Sequence, residues 1–365
     1  MTAPPTAGEL QIDLRAVQAN WRRFGDLAPG CVVAAMVKAD AYGLGALEVA
    51  PVLAEVGCRE FFVAEPGEGI ALRAALPDAD IHVLSGVTAG TERVFDEHRL
   101  VPVLISAEQV RRWSAHVRTD GHRRPATLHV DTGINRTGLD AHDTATLLAD
   151  PSMLDGIELV HVMSHLACAD EPDHRLNARQ RDRFLQVRER LPAGRASLVN
   201  SAGVGLGADF HFDHVRPGVG LYGADPTPDR RLGVSPVVRL TAPVLQVRTS
   251  TDGDTVGYGA THRLDGPRRL ATLPVGYGDG YLRAASNAGH VAFDGHRAPI
   301  VGRVSMDLLT VDVTDLPPDV RVEPGTAAEL IGGTVTVDEV AAAAGTIAYE
   351  VLTNLGRRYT RTYTR

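Results

Sequence analysis

Lysine is almost absent from this sequence of 365 residues, because its 37 lysine and arginine residues include a single lysine, Lys38. Arginine replaces lysine readily on exposed surfaces, but its guanidinium stays charged near neutral pH and cannot attack a carbonyl. A lysine amine can do so once burial or neighbouring charge lowers its pKa, and this is the chemistry of Schiff bases. Lys38 is therefore either a structural lysine retained by chance or a nucleophile, and the residues around it distinguish the two.

Cysteine, a basic excess and long apolar runs are also lacking. The three cysteines, Cys31, Cys58 and Cys168, form no CxxC pair and no metal-ligand spacing, which predicts a reducing cytoplasm and no metal site. The net charge of −8 argues against nucleic acid or an anionic membrane as a partner. No stretch reaches membrane-spanning length, and the N-terminus lacks the basic and apolar regions of a signal peptide. We therefore expect a cytoplasmic protein.

Eight short apolar runs recur in the first 225 residues, and helical periodicity lies between some of them, over Ala41–Val56 and Asn177–Arg190. The runs are rich in Val, Ile and Leu without clean alternation, as in strands buried on both faces. Eight βα units predict an α/β fold, a (β/α)8 TIM-type barrel over residues 1–230. A doubly wound sheet is the alternative, although no GxGxxG follows the first run. The predicted strands are Val32–Val37, Phe61–Ala64, Ile81–Ser85, Val101–Ile105, Ala126–Val130, Leu159–Ser164, Ala196–Asn200 and Val215–Tyr222.

The pattern changes after about Pro236, where short and often alternating runs are separated by Gly, Pro and Asp. This predicts a C-terminal all-β domain over residues 231–365, with residues 1–14 pairing with it. One helix, Val337–Ala344, is predicted with Thr336 as its N-cap. The predicted strands are Val238–Val247, Arg269–Val275, His290–Phe293, Ala298–Val304, Leu308–Val313 and Ala327–Leu330.

Polar residues close several of the predicted barrel strands. In this fold the C-terminal ends of the strands form the active-site face, so these side chains are expected to converge on one pocket. Taken singly, a histidine or asparagine at such a place is more often a satisfied structural group. The residues at the strand ends are Lys38, His129, Asp131, His165, Asn200, Ser201, Arg216 and Tyr222.

The segment Met36–Gly45, which carries Lys38, resembles the pyridoxal-phosphate attachment motif of the alanine racemases, which are fold-type III enzymes. Further segments similar to that family follow in order along nearly the whole chain: Asp131–Leu139, Ser164–Asp170, Asn200–Ala202, Arg216–Gly223, Gly257–Thr261, Val275–Arg283 and Gly302–Asp307. The resemblance implies pyridoxal 5′-phosphate as cofactor and interconversion of L- and D-alanine by two bases. It also implies a homodimer with shared active sites, and D-alanine supplied for peptidoglycan.

The resemblance assigns the cofactor to barrel residues. Lys38 would form the Schiff base with it and then act as one catalytic base, while Tyr42 and Ser201 would bind its phosphate. Arg216 would face the pyridine nitrogen, oriented by a hydrogen bond with His165. A cation there disfavours protonation of that nitrogen and so favours reprotonation of the substrate carbanion over transamination. The implied cofactor-binding set is Lys38, Tyr42, His165, Asn200, Ser201, Arg216, Gly218 and Tyr222.

One lysine reaches only one face of a planar intermediate, so racemisation needs a second base. By the resemblance this base is Tyr258, contributed by the second domain of the partner subunit. A free tyrosine has a pKa near 10, so nearby positive groups must lower it. The implied substrate-binding residues are Arg136 and the Met306 N–H for the carboxylate, Asp307 supporting that loop, and Tyr277 and Arg283 lining the entrance from the partner.

The sequence departs from the family at His129. Relatives with a carbamylated lysine carry it at this position, where it neutralises and positions the arginine that corresponds to Arg136. No second lysine exists here to be carbamylated, so His129 or a bound anion is expected to take that part.

Three alternatives stay open. A racemase acting mainly on serine or another small amino acid is one, because an apolar pocket discriminates weakly against one hydroxyl. A decarboxylase of basic amino acids is the second, but it predicts a cysteine where Tyr258 stands. A non-catalytic pyridoxal-phosphate-binding protein is the third, but such proteins are single barrels without the β-domain.

Overall fold

A computed structural model of the chain describes residues 8–119, 121–191, 194–227 and 232–365. The chain separates into two compact units. One holds the described residues of Gln18–Leu221 and Asp225–Val234, and the other holds those of Met1–Val17, Tyr222–Ala224 and Ser235–Arg365. The first described strand, β1 (Glu9–Asp13), belongs to the second of these units.

A closed ring of parallel strands forms the unit that begins at Gln18. In the described ranges it has nine segments, of which the first two are halves of one strand: Val33 pairs with Val215, and Ala35 pairs with Phe61. The predicted (β/α)8 barrel is therefore confirmed. The segments are β2 (Val32–Val33), β3 (Ala35–Met36), β4 (Glu60–Val63), β5 (Asp80–Val83), β6 (Leu100–Leu104), β7 (Arg124–His129), β8 (Ile157–Met163), β9 (Arg195–Ser197) and β10 (His214–Val215).

Most of these strands begin and end one to three residues before the predicted ones. The apolar runs continue past the last paired residue into the buried mouth of the barrel, so each run is longer than the hydrogen-bonded strand. Val130, for example, is 2 % exposed although β7 ends at His129. An apolar run therefore indicates which residues are buried, and it does not mark the ends of strand pairing.

The strands alternate with helices whose apolar faces cover the barrel. Ser106 caps α6 by accepting the Gln109 N–H at 3.2 Å, and Asp140 caps α7 by accepting the Asp143 N–H at 2.7 Å. The helices are α1 (Leu14–Leu27), α2 (Lys38–Gly43), α3 (Ala46–Glu55), α4 (Pro66–Ala75), α5 (Glu92–Glu97), α6 (Ala107–Val117), α7 (Ala141–Ala149), α8 (Arg175–Arg188) and α9 (Ser201–Val204). The predicted helix Asn177–Arg190 corresponds to α8.

The other predicted helix, Ala41–Val56, is wrong at its start. A regular right-handed helix begins only at Ala46 in α3, because the preceding residues of α2 adopt left-handed backbone angles. Gly43 and Gly45 have φ of 83° and 97°, which glycine tolerates, and they separate the two segments. Side-chain periodicity alone does not distinguish the two hands of a turn.

The second unit contains the all-β fold predicted for the C-terminal region. Its main sheet has the strand order β17-β16-β19-β11-β1-β20, and β1 pairs antiparallel with β11 and parallel with β20. A three-stranded sheet, β12-β15-β18, and the hairpin β13-β14 complete the described sheets of this unit. The strands are β11 (Val238–Pro243), β12 (Gln246–Ser250), β13 (Thr255–Val256), β14 (His262–Arg263), β15 (Arg268–Leu273), β16 (His290–Phe293), β17 (His296–Pro299), β18 (Leu309–Asp312), β19 (Ala327–Ile331) and β20 (Thr360–Thr364).

Two helices, α10 (Val337–Ala343) and α11 (Ala348–Asn354), follow β19. The predicted cap of α10 is confirmed, because the Thr336 hydroxyl accepts the Glu339 N–H at 3.2 Å and Glu339 returns the bond at 2.8 Å. Helix α11 and strand β20 were not predicted. Among the described helices, none combines the length and apolar character needed to span a bilayer.

Two predicted strands of this unit differ from the observed ones. The run Val238–Val247 is divided into β11 and β12, which belong to different sheets. The run Ala298–Val304 is wrong beyond Pro299, where β17 ends. Gly302 has a φ of 77°, and a Cβ there would lie 2.6 Å from the Val256 carbonyl oxygen, so the chain turns where an extended strand was expected.

Candidate active site

Lys38 follows the first barrel strand and begins a turn of unusual hand. The next residues have φ angles of 52° at Ala39, 54° at Asp40, 53° at Ala41 and 56° at Tyr42. Left-handed backbone costs a non-glycine residue about 1–2 kcal/mol, so such a run needs support from its surroundings. Strain of this kind concentrates at functional sites.

Glu68, in the first turn of α4, provides part of that support. Its Oε1 accepts the Ala39 N–H at 2.6 Å, and its Oε2 accepts the Ala64 N–H at 2.7 Å. Asp40 Oδ1 accepts the Ala46 N–H at 2.8 Å at the start of α3. The segment after Lys38 is thus tied to both following helices. The sequence analysis missed Glu68, whose only signal was an acidic residue in the first turn of a helix.

The Lys38 amine is partly buried, and three influences act on it. Burial and the positive charge of Arg136 lower its pKa, whereas Glu68 opposes them with a smaller effect. A lowered pKa increases the fraction of neutral amine, which is the nucleophilic and basic form. The environment therefore favours the chemistry that arginine cannot perform.

Tyr42, Ser201 and Gly218 come together beside this turn. The Ser201 hydroxyl accepts the N–H groups of Gly218 at 2.8 Å and Gly220 at 3.1 Å. A Cβ added to Gly218 would lie 2.3 Å from the Tyr42 hydroxyl, so only glycine permits this approach. Two hydroxyls and two backbone N–H groups are the types of group that hold a phosphate.

Asn200 and Tyr222 lie at the ends of the same region. Asn200 is the N-cap of α9, since its Oδ1 accepts the Gly203 N–H at 3.0 Å. Tyr222 ends the turn Val219–Tyr222 and is 1 % exposed. Asn200 thus has a structural hydrogen bond that accounts for its position, in addition to the role implied by the resemblance.

Arg216 is buried at the end of the barrel strands, with 2 % of its surface exposed. Its guanidinium donates to the Ser197 hydroxyl and to the carbonyl oxygens of Ser164, at 2.7 Å, and Leu198, at 3.4 Å. Burial lowers its pKa to about 10, which leaves it charged at neutral pH. None of the ion pairs within the described ranges involves Arg216.

The expected hydrogen bond between His165 and Arg216 is not formed in the described structure. The guanidinium is oriented instead by the hydroxyl and carbonyl groups at the ends of β8 and β9. His165 still lies near enough for the charge of Arg216 to act on it, because burial and then Arg216 lower its pKa well below the usual value. His165 is therefore neutral at neutral pH.

His129 is 4 % exposed, and its Nε2 has no hydrogen-bond partner in the described residues. Burial, followed by the charge of Arg216, lowers its pKa to about 4. A neutral imidazole carries no negative charge, so His129 cannot neutralise Arg136. Two groups were expected to neutralise Arg136, namely His129 or a bound anion, and only the bound anion remains possible.

Arg136 is exposed on a loop that Asp131 organises. One oxygen of Asp131 accepts the N–H groups of Gly133 and Ile134, at 2.8 and 3.0 Å, and the other accepts that of Asn135 at 3.0 Å. The loop brings the charge of Arg136 close enough to Lys38 to lower the pKa of its amine.

In the β-unit, Tyr258 is 73 % exposed on a turn between Gly257 and Gly259. Both glycines have positive φ, of 71° and 73°, so the turn presents the tyrosine outward. A Cβ at Gly259 would lie 2.8 Å from the guanidinium of Arg303, which lies against the turn. Arg303 is a cation beside Tyr258 that the sequence analysis did not assign.

Tyr277, Met306 and Asp307 lie together in the same unit. The Tyr277 N–H donates to the Ser305 carbonyl at 3.0 Å, and the Gly278 N–H donates to the Met306 carbonyl at 2.8 Å. Arg283 is exposed on the separate turn Arg283–Ala285.

Arg358 ties this segment together, although the sequence analysis gave it no role. Its guanidinium pairs with Asp279 at 2.6 Å and with Asp307 at 2.7 Å. Asp307 thus has a salt-bridge partner that supports the loop carrying Met306.

The barrel residues fit pyridoxal phosphate by the chemistry of their groups. The lysine amine has a lowered pKa, a cluster of hydroxyl and N–H groups lies next to it, and the buried guanidinium lacks a carboxylate partner among the described residues. A cation in this state suits an unprotonated pyridine nitrogen. The orphaned Nε2 of His129 marks a further polar atom available to a bound group.

Two family models match the chain, that of the alanine racemase N-terminal domain over residues 12–226 and that of the alanine racemase C-terminal domain over residues 237–363. A curated alanine racemase from Methylobacterium sp. (strain 4-46) is 48% identical over 364 residues, covering 100% of both chains. A catabolic alanine racemase from Mesorhizobium japonicum is 45% identical over 355 residues, covering 97% of this chain and 92% of its own.

Solved structures give the same result. The crystal structure of alanine racemase from Bartonella henselae with covalently bound pyridoxal phosphate superposes with a TM-score of 0.93 at 39% identity, covering 99% of this chain and 100% of that one. The agreement in sequence and structure extends across both units. The chain therefore belongs to the alanine racemase family.

Proposed function

We propose that this protein is an isomerase that interconverts L- and D-alanine with pyridoxal 5′-phosphate. The observation that carries the proposal is the pairing of a sole lysine of lowered pKa with a buried arginine that lacks a carboxylate partner in the described residues. A structural lysine would need neither the left-handed turn nor the desolvation found at Lys38.

The barrel residues hold the cofactor in this proposal. Lys38 would hold it through its side-chain amine, the hydroxyls of Tyr42 and Ser201 with the N–H of Gly218 would hold its phosphate, and Arg216 would face its pyridine nitrogen. His165, Asn200 and Tyr222 complete the surrounding wall. When bound, pyridoxal phosphate acidifies the Cα–H bond of the amino acid attached to it.

Lys38 then acts as the base on one face of the substrate. Its neutral amine takes the Cα proton of D-alanine while the Tyr258 hydroxyl donates a proton to the opposite face. In the reverse direction the Tyr258 phenolate takes the Cα proton of L-alanine and the Lys38 ammonium donates one. The lowered pKa of Lys38 matters for both steps, because a base works best with a pKa near the working pH. Arg216 stays charged at neutral pH, and its charge would disfavour protonation of the pyridine nitrogen and so favour reprotonation at Cα.

Tyr258 is the base on the opposite face, supplied by the partner in a homodimer. Its 73 % exposure and its glycine-flanked turn suit a side chain that acts on another subunit. The Arg303 guanidinium lies against that turn, 2.8 Å from a Cβ added at Gly259. Tyr277 and Arg283 line the entrance in the same proposal.

The substrate carboxylate is bound by Arg136 and by the N–H of Met306, with Asp307 and Arg358 supporting the latter. Because His129 is neutral, a bound anion neutralises Arg136 when substrate is absent. The proposed metabolic role is the supply of D-alanine for peptidoglycan in the cytoplasm, and a catabolic role is the competing one, since some relatives are catabolic enzymes.

A racemisation assay tests the proposed function. The purified protein with added pyridoxal phosphate is incubated with a panel of L-amino acids, and the D-enantiomers are resolved by chiral chromatography. We expect L-alanine to be converted fastest. Faster conversion of L-serine would select the serine racemase, and no conversion of any substrate would select the non-catalytic binding protein.

A further inference from the structure

A second polar cluster lies inside the barrel, away from the residues assigned above except for one link. Glu60 at the start of β4 is 3 % exposed, and three buried imidazoles direct their Nε2 atoms at its Oε2. The Nε2–Oε2 distances are 3.0 Å for His161, 3.1 Å for His214 and 3.9 Å for His82. Four strands, β4, β5, β8 and β10, each contribute one of these side chains.

The other ring nitrogens of the three histidines are held by hydroxyls. Thr127 Oγ1 lies 3.0 Å from His82 Nδ1 and 3.4 Å from His161 Nδ1, and Ser197 Oγ lies 2.8 Å from His214 Nδ1. Such outer hydrogen bonds fix the ring and tautomer of a metal-binding histidine and leave Nε2 free.

The hydroxyl groups of Thr127 and Ser197 do not have enough protons to donate a hydrogen bond to all three Nδ1 atoms. Thr127 has one proton, so at least one of the two imidazoles beside it must donate through Nδ1. Ser197 donates to the His214 carbonyl at 2.8 Å and accepts from Arg216, so its remaining lone pair takes the Nδ1–H of His214. In the neutral rings, at least two Nε2 lone pairs then face the carboxylate.

The four inward atoms lack satisfactory hydrogen bonds. Glu60 Oε2 and the Nε2 atoms of His82, His161 and His214 are all buried without a hydrogen-bond partner within the described ranges. Glu60 uses its other oxygen for Arg195, at 2.7 Å, so Oε2 is left for a different group. Converging lone pairs in a buried space are stabilised by a positive charge among them, supplied by a metal ion or by a proton on an imidazole.

We propose that Glu60, His161 and His214 form a buried binding site for a zinc-type divalent ion, with His82 beside it. Two imidazole nitrogens and one carboxylate oxygen are a donor set that zinc accepts, with the fourth position open to another ligand. Zinc–ligand bonds of about 2.0–2.1 Å place neighbouring tetrahedral ligand atoms roughly 3.3 Å apart. Glu60 Oε2 lies 3.0 and 3.1 Å from the Nε2 atoms of His161 and His214, and the three ligand atoms all lie within 4.8 Å of one another, so modest side-chain shifts bring them to that spacing.

This site differs from the expectation of no metal, which rested on short-range ligand spacing. Its ligands are up to 154 positions apart in sequence and meet only when the barrel closes. An ion there joins three strands, β4, β8 and β10, so its role is to stabilise the barrel. Ser197 contacts both His214 and Arg216, so the ion also helps to fix the hydroxyl that orients Arg216.

The test measures zinc on the intact protein with its cofactor. After chelator treatment and dialysis, zinc is titrated back and bound metal is counted per chain, and cobalt(II) is substituted to detect tetrahedral coordination by its visible absorption. We expect about one equivalent for the wild type. His161→Gln and Glu60→Gln should lose it, and Thr127→Val should weaken binding by about 10–100-fold because it removes an orienting hydroxyl.

His142→Gln is the matched control, because it makes the same change at an exposed histidine of α7 and should keep the wild-type stoichiometry. Near-ultraviolet circular dichroism checks that each variant is folded. Failure of the folded wild type to take up zinc or cobalt would overturn the proposal in favour of protonated imidazoles. Equal uptake by the ligand variants would overturn it as well, because the metal would then bind elsewhere. If the ligand variants do not fold, the wild-type titration and Thr127→Val decide the matter.

Discussion

The carboxylate of Glu68 accepts the N–H of Ala39 at 2.6 Å, and so it fixes the residue that follows the only lysine. Its second oxygen binds Ala64 at 2.7 Å, beyond the end of β4. The Glu68 side chain thus connects the segments that follow β3 and β4 at the proposed active-site face. The hand of the turn depends on this connection, because four consecutive residues after Lys38 are unfavourable in isolation.

Glu68→Gln tests the connection. The amide can still accept one N–H, but its NH₂ group would face the other donor, so one of the two bonds is lost. We expect a loss of about 1–3 kcal/mol in the free energy of unfolding, measured by urea titration, and weaker retention of pyridoxal phosphate. Glu48→Gln, the same change on an exposed residue of α3, is the control and should leave both quantities unchanged.

Lys38 can be tested by reduction with borohydride. The treatment should fix the cofactor to one peptide, the one containing Lys38, since no other lysine side chain is present. Mass spectrometry locates the label, and Lys38→Arg should remove both the label and the visible absorbance while circular dichroism stays unchanged. Label on the N-terminal amine alone would refute the assignment.

Mixing two inactive variants tests the shared site. In a dimer formed by Lys38→Arg and Tyr258→Phe chains, one of the two sites regains both wild-type bases if the tyrosine comes from the partner. After unfolding and refolding together, roughly a quarter of the sites should be restored, because half the dimers are mixed. Recovery of none would contradict the contribution of Tyr258 by the partner.

Tyr258→Phe alone should act on one face of the substrate. We expect the exchange of the Cα proton for solvent deuterium to fall more from L-alanine than from D-alanine, because Lys38 still serves the other face. Nuclear magnetic resonance of the α-proton measures both rates. An equal loss from the two enantiomers would count against the assignment of faces.

His129 predicts a dependence of stability on pH. Its pKa of about 4 in the folded protein lies below the ordinary value of 6.5, so the unfolded chain binds the proton more readily. Its contribution to stability is full above pH 6.5 and is lost as the pH falls toward 4, by up to about 3 kcal/mol. His129→Gln should remove that part of the pH dependence.

Urea titrations at several pH values between 4 and 7 measure this effect. The other buried histidines titrate in both proteins, so only the difference between wild type and His129→Gln is informative. His142→Gln, an exposed change, should follow the wild type at every pH. Parallel curves for wild type and His129→Gln would mean that His129 is not held neutral by burial.

The barrel and the all-β fold could be predicted because apolar runs indicate buried segments. The pattern of buried segments along the chain differs between the two folds. The strand-end residues followed from the barrel, since Lys38, Ser201 and Arg216 occupy one face of it in any such fold. The left-handed turn could not be predicted, because Ala39–Tyr42 have a helix-like composition and part of their support comes from Glu68, which is distant in sequence.

Long-range polar contacts were the other failure. The hydrogen bonds of Arg216 go to Ser197 and to carbonyl groups that any sequence would supply, so the sequence gives no reason to prefer them over His165. The cluster at Glu60 draws on four separate strands, and its members carry no common spacing. Contacts of this kind form only when the barrel closes, so local sequence patterns do not predict them.

The turn after Lys38 has the geometry that mirror-image amino acids adopt by preference. Ala39, with φ of 52°, is exposed, so a chemically ligated chain with D-alanine at this position would gain the favoured backbone region without disturbing the core. Such a chain should hold the turn about 1–2 kcal/mol more firmly than the natural one. A protein proposed to make D-alanine would then be stabilised by its own product.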